Sequence, residues 1–126
     1  MTVLNGWITI DHRSWDADEF DQWIESVKNN GTEINVSSIN ATQNIRFFSC
    51  RNHFGTPAKT IIDFFFWVSQ YVDAEAFGLL YVYDEEGLNG HSDKFQVFRL
   101  AKNQVTQVED PFFSPYSEKI AEYGDD

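Results

Sequence analysis

The sequence holds a single cysteine, Cys50, among 126 residues. A lone thiol excludes an internal disulfide framework and fits a reducing compartment. No apolar run approaches the ~20 residues that a membrane-spanning helix needs. The stretch MTVLNGWITIDHRS lacks the basic start and long apolar core of a secretory signal. Glycine-rich phosphate loops are missing, and so is a G-x-S-x-G nucleophile turn. Basic residues are scarce: 9 Lys and Arg stand against 20 Asp and Glu, for a formal charge of −11. Such a charge repels a phosphate backbone and argues against direct nucleic-acid binding. The sequence predicts a soluble, cytoplasmic protein with neither nucleic acid nor membrane as a partner.

What is abundant is aromatic. Twelve Phe, five Tyr and four Trp can build a core, so this is no disordered acidic tail. The length fits one domain over 1–126, since domains commonly run to about 100–150 residues. A chain of this size buries roughly two-thirds of its unfolded surface and folds without metal or disulfide. The same negative charge would attract a basic partner and speed its encounter.

Residues 3–12 alternate as a strand, with Leu4, Ile8 and Ile10 on one face and Trp7 on the other. Asp16 then caps a helix, and Glu19 completes a variant capping box. Phe20, Trp23, Ile24 and Val27 form its apolar stripe, and Asn29-Asn30-Gly31 ends it. Strands are expected near 33–39 and 43–53, joined by a turn at Asn40-Ala41-Thr42. Thr56-Pro57 opens a second helix running to about Asp73, with Ile61, Phe65, Val68 and Val72 on one stripe. Phe64, Phe66, Trp67 and Tyr71 widen its apolar arc, which means deep burial or burial at an interface. Residues 77–83 are apolar at alternate and intervening positions, the mark of a central strand. A polar loop at 87–93 leads to a strand at 94–101, which Lys102-Asn103 turns into a last one at 104–109. The tail shows weak periodicity, with a short helical turn possible near 118–123. The order β-α-β-β-α-β-β-β predicts an α+β fold, a mainly antiparallel sheet with two helices packed on it and the Trp7 side partly open.

Few residues promise chemistry. Cys50 and His53 suggest a thiol nucleophile, but residues three apart on a strand face opposite ways, and cysteine also serves as a small buried hydrophobe. His12, His53 and His91 lie far apart and match no compact metal-ligand spacing. Asp84-Glu85-Glu86 with Asp93 lacks the alternating ladder of a calcium loop. A catalytic carboxylate pair could be drawn from twenty acids, and nothing marks one. No catalytic residue, metal ligand or cofactor is therefore assigned.

Surface recognition fits better. Acids gather at 84–93 and again at 109–126, beside Tyr83, Phe112, Phe113 and Tyr116. If the strand at 77–83 neighbours the final strand, both clusters share one end of the sheet. Aromatics anchor protein interfaces while charge steers and selects, which nominates Asp84, Glu85, Glu86, Asp93, Glu109, Asp110, Phe112, Tyr116 and Glu118 as partner contacts. The competing reading has Phe112 and Phe113 closing the core and the acids merely solvated.

Gly6-Trp7 on the first strand and FGLLYVYDEE over 77–86 resemble signature segments of the immunity protein 7 family. FQVF over 95–98 and DPFFSP over 110–115 resemble its later segments, in the same order. The likeness spans nearly the whole chain and is weakest over about 30–60. It implies a cytoplasmic antidote, encoded beside a toxin of a bacterial polymorphic toxin or contact-dependent inhibition system. Such an antidote binds the toxin's C-terminal domain and has no catalysis of its own. Toxins of these systems are often nucleases, and carboxylates at −11 suit a basic nuclease surface. Many relatives follow Ser-Pro with Cys-x-Pro, whereas this chain reads Tyr116-Ser117-Glu118-Lys119-Ile120. Gly6, Trp7, Leu80 and Pro115 are assigned to folding, and Asp84, Glu85 and Asp110 to contact, because charge contributes little to a core. Two rival readings are a small hydrolase or transferase using Cys50 or paired carboxylates, and a general acidic mimic of nucleic acid. Monomer and homodimer both remain open.

Overall fold

The computed structural model describes residues 2–11, 17–51, 57–84, 95–111 and 113. Strand β1 spans Thr2–Asp11, helix α1 Ala17–Asn29, β2 Glu33–Ile39 and β3 Thr42–Arg51. Helix α2 follows at Pro57–Tyr71, then β4 at Phe77–Asp84, β5 at Phe95–Ala101 and β6 at Gln104–Val108. The strands form one six-stranded sheet in the order β2-β3-β1-β4-β5-β6. Each of its five pairings is antiparallel. The expected α+β order is the observed one, and element ends within the described residues move by one or two residues. The expected strand ends at His12, His53 and Lys94, the caps Asp16 and Thr56, the 87–93 loop and the turn near 118–123 lie outside the described residues.

Local chemistry explains the boundaries. Pro57 opens α2 at the position where a missing N–H costs nothing. Helix α1 carries Asp18 and Glu19 in its first turn and Lys28 in its last, matching the helix dipole at both ends. Gly31, at φ 89°, lets the chain leave α1, while its N–H donates to the Lys28 carbonyl at 2.9 Å. Asn30 Nδ2 donates to the Ser26 carbonyl and to Thr60 Oγ1, both at 3.0 Å, which ties the end of α1 to α2. Lys102 and Asn103, with φ of 52° and 63°, make the two-residue turn with both residues left-handed that suits the twist of a hairpin. Asp73 fixes the approach to β4. Its Oδ2 accepts from the Asp11 N–H and its Oδ1 from the Glu75 N–H, each at 2.9 Å.

Both helices pack on one face of the sheet. Leu4, Ile8 and Ile10 of β1, Ile45 and Phe47 of β3, Leu80 and Val82 of β4 and Leu100 of β5 point into that layer and are buried. They meet Phe20 and Val27 of α1 and Ile61, Phe64, Phe65, Trp67 and Val68 of α2. Phe64 sits amid rings, with centroids about 6.0 Å from those of Phe20, Trp23, Phe47 and Trp67. The wide apolar arc of α2 is thus largely core. Phe66 and Tyr71 are its exceptions and remain exposed.

Gly6 and Gly78 let β1 and β4 close on each other. A Cβ at Gly78 would run into the Trp7 carbonyl oxygen and lie 2.9 Å from the Ile8 Cα. One at Gly6 would lie 2.7 Å from the Leu79 carbonyl oxygen. Backbone cannot step aside as a flexible side chain can, so both glycines of the family-like segments serve the fold.

Candidate protein-binding site

Among the described residues, no helix lies on the other face of the sheet. Alternation along each strand sends Trp7 of β1, Phe48 of β3, Phe77, Leu79, Tyr81 and Tyr83 of β4, and Phe95 of β5 to this side. Phe48 is 45% exposed and Phe77 50%. Trp7 and Phe77 meet edge to face, with centroids 5.7 Å apart. Toward the far end, Phe95 stacks obliquely on Tyr83 at 5.1 Å and on Phe113 at 4.7 Å. Tyr81 meets Phe95 and Phe113 edge-on at 6.3 and 6.4 Å. Val97 is buried beneath this group, away from the helices. The chain thus covers part of its open face with its own aromatics.

That far end is where the two acidic stretches begin. Strand β5 lies between β4 and β6, so these two are not the neighbours that would have placed the clusters side by side. They nevertheless run in the same direction, because each is antiparallel to β5. Asp84, at the end of β4, and Glu109, just past β6, therefore leave the same end of the sheet, on strands two spacings or about 10 Å apart. Glu109 is exposed.

Asp110 has a different position from the one its charge suggests. It is 6% exposed, and its Oδ2 accepts the Phe113 N–H at 3.0 Å. A buried carboxylate bonded to a backbone donor shapes a turn, here the turn that lays Phe113 over Phe95. Phe113 is 67% exposed, so it does not close the core. Partial burial first, and the Asp110 charge second, push the Tyr81 phenol above its ordinary value. Glu85, Glu86, Asp93, Phe112, Tyr116 and Glu118 lie outside the described residues.

Cys50 is exposed rather than buried. Ile45, Phe47 and Ser49 take the inward positions of β3, and alternation leaves Cys50 on the open side. His12, His53 and His91 lie outside the described residues, and among the described residues no three His, Cys, Asp or Glu side chains gather as metal ligands. The recesses lined by described residues are shallow. One, of about 590 Å³, is lined by Asn5, Glu33, Asn35, Arg46 and Phe48 at the β2–β3 edge, with Lys28 beneath.

Among the described residues, the structure presents a broad aromatic face and a charged end, and it gathers no set of metal-ligating side chains. The model of the immunity protein 7 family matches residues 1–122. The chain belongs to the immunity protein 7 family. Membership carries an immunity role and implies binding of a cognate toxin. No curated protein and no solved structure matches the chain. The family-like segments divide by face in this immunity protein. Gly6, Gly78 and Leu80 serve the packed layer, whereas Trp7, Leu79, Tyr81 and Tyr83 occupy the open one.

The residues nominated from the sequence do not include the aromatics of the open face: Phe48 and Phe77 are not among them, and Trp7 is assigned to folding first. The signal was there in the every-second-residue spacing of Phe77, Leu79, Tyr81 and Tyr83. It was obscured because a strand apolar on both sides also describes one buried between two layers.

Proposed function

We propose that this immunity protein neutralises one cognate toxin domain, a basic nuclease acting in the cytoplasm, through tight occlusion guided by complementary charge. The observation that carries this reading is the convergence of the β4 and β6 ends beside the Tyr81–Tyr83–Phe95–Phe113 group. The toxin contacts in this reading are Asp84, Glu85, Glu86, Asp93, Glu109 and Glu118 by charge and Phe112, Phe113 and Tyr116 by apolar contact, of which Asp84, Glu109 and Phe113 are among the described residues. Asp110 acts from beneath by holding the turn. With a net charge of −11, the chain also accelerates encounter with a basic surface at low salt.

A growth assay tests the function. The toxin domain encoded directly upstream is induced alone, with this chain, or with an unrelated acidic protein of similar size. Rescue by this chain only is the expected result, and equal rescue by the unrelated protein would reduce the activity to nonspecific charge neutralisation. Reversing Asp84, Glu85 and Glu86 together should slow association and weaken protection. Binding kinetics identical at low and high salt would remove the electrostatic part. Cys50→Ala should keep full protection, whereas a thiol enzyme would lose its turnover.

A further inference from the structure

Two arginines stand on the open face of a protein in which acids outnumber bases by 20 to 9. Arg46 of β3 pairs with Trp7 of β1, Trp7 with Leu79 of β4, and Leu79 with Arg99 of β5. These four residues therefore form one row across the sheet, with a guanidinium at each end. Three strand spacings separate the two arginine backbones, about 14 Å. Between them lie the half-buried Trp7 and Leu79, with exposed Phe48 and Phe77 on neighbouring rows.

Both arginines are exposed. Arg46 Nε makes one hydrogen bond, to Asn44 Oδ1 at 3.3 Å, and Arg46 lines the shallow recess beside Phe48. Glu33 lines the same recess, yet it forms no ion pair with Arg46. Arg99 has no hydrogen-bonding or ionic partner among the described residues. In so acidic a chain, two guanidiniums that form no ion pair among the described residues and flank an apolar strip are a specific arrangement. Arginine and aromatic residues are the types enriched at the energetic centres of protein interfaces.

We propose that this open face is the docking surface for the cognate toxin, and that Arg46 and Arg99 bind carboxylates of the toxin on either side of an apolar contact with Trp7 and Leu79. The proposal rests on the immunity reading above and adds a commitment about the partner. Guanidiniums repel a phosphate-binding cleft, so the part of the toxin over this row is acidic and lies outside that cleft. The acidic end of the sheet then faces the basic part of the toxin. One interface can hold both contacts. A standard interface covers about 800 Å² per partner, a disc roughly 30 Å across. Leu79 and Tyr83 are four residues apart on β4, or only about 14 Å.

Charge reversal at the arginines separates this idea from simple steering. Arg46→Glu with Arg99→Glu takes the formal charge from −11 to about −15, since each change subtracts two units. Steering alone predicts binding to a basic toxin unchanged or tighter. The docking proposal predicts an affinity loss of roughly tenfold for each change and roughly a hundredfold for both. Calorimetric titration with the upstream toxin domain reads this, with unfolding midpoints showing that the variants remain folded. As a second readout, the Trp7 indole N–H resonance should shift when toxin is added to the unaltered chain. Unchanged or improved affinity of the double variant, or a stationary Trp7 signal, overturns the proposal while leaving the immunity function standing. Self-association of the chain alone, abolished by the double reversal, would assign the face to a second copy and also overturn it. No binding by the unaltered chain removes the immunity reading and the docking proposal together.

Discussion

The two faces of one sheet are built from alternate residues of the same strands, and they differ in almost every physical respect. On β1, Leu4, Ile8 and Ile10 are buried under two helices, whereas Trp7 and Thr9 between them are half exposed. The covered face closes on rings and aliphatic chains from α1 and α2. Its counterpart presents aromatics to solvent, and among its described residues on these strands Val97 is the buried one. Alternation makes this division available to any antiparallel sheet, but water normally forces the exposed side to be polar. Large rings kept in water on one side are what the docking proposal uses, with stability drawn from the opposite face.

The strongest way to break that division is to truncate one phenylalanine on each side. Phe64→Ala removes a fully buried ring from among four aromatic neighbours and should cost about 3–5 kcal/mol in denaturant unfolding. Phe48→Ala, on the open side at 45% exposure, should cost less than about 1 kcal/mol. Equal losses would mean that the open face is structural after all. A large loss of toxin affinity from Phe48→Ala with stability intact would sharpen the assignment.

Gly78→Ala tests the seam between the faces. The new Cβ would press on the Trp7 carbonyl and the Ile8 Cα, both main-chain atoms of β1. Forcing the strands apart should cost about 1–3 kcal/mol and displace Trp7 on the open side. Stability should fall first, with binding weakened as a consequence. A fully stable Gly78→Ala protein would show that the β1–β4 approach is slack.

How much of this was legible beforehand follows from which forces are local. Helix stripes, the proline at the start of α2 and the Lys102-Asn103 turn depend on neighbours in sequence, and each was readable. Strand order depends on long-range pairing, so the insertion of β1 between β3 and β4 was not. Asp110 shows the same limit at the level of one residue. Its charge argued for solvent, but the Phe113 N–H it accepts and the packing around it placed it inside. The aromatic character of the face over β4 was visible, yet sequence could not distinguish a second layer from open solvent. Arg46 and Arg99 lie 53 positions apart along the chain, and only the register through Trp7 and Leu79 places them in one row.

A smaller effect probes how the end of β1 is held. Asp73→Ala removes the acceptor for the Asp11 and Glu75 N–H groups, bonds of 2.9 Å that link the α2–β4 connection to the last residue of β1. Stability should drop by about 1 kcal/mol, since the Asp11 donor is only partly buried and the Glu75 donor is exposed. Hydrogen exchange should quicken at Asp11 and Glu75 rather than across the sheet. Exchange that quickened in the core strands instead would make Asp73 a determinant of global stability.

The smallest effect belongs to the open face and depends on pH. Tyr81 has a phenol held above its ordinary value, by partial burial and then by the charge of Asp110. Between the ordinary value and the raised one, the unfolded chain releases this proton while the folded chain retains it. The folded state then binds more protons, so stability must fall as pH rises through that interval. Below it both states are protonated and the full contribution remains. Unfolding midpoints should therefore decline as pH rises past the ordinary tyrosine value of about 10, with Tyr81→Phe declining less steeply. Asp110→Asn should lessen the slope without removing it, because burial still opposes the phenolate and the new amide oxygen can accept from Phe113. If Asp110→Asn left the slope unchanged, burial alone would account for Tyr81, and the buried carboxylate would act on the open face only through the turn it holds.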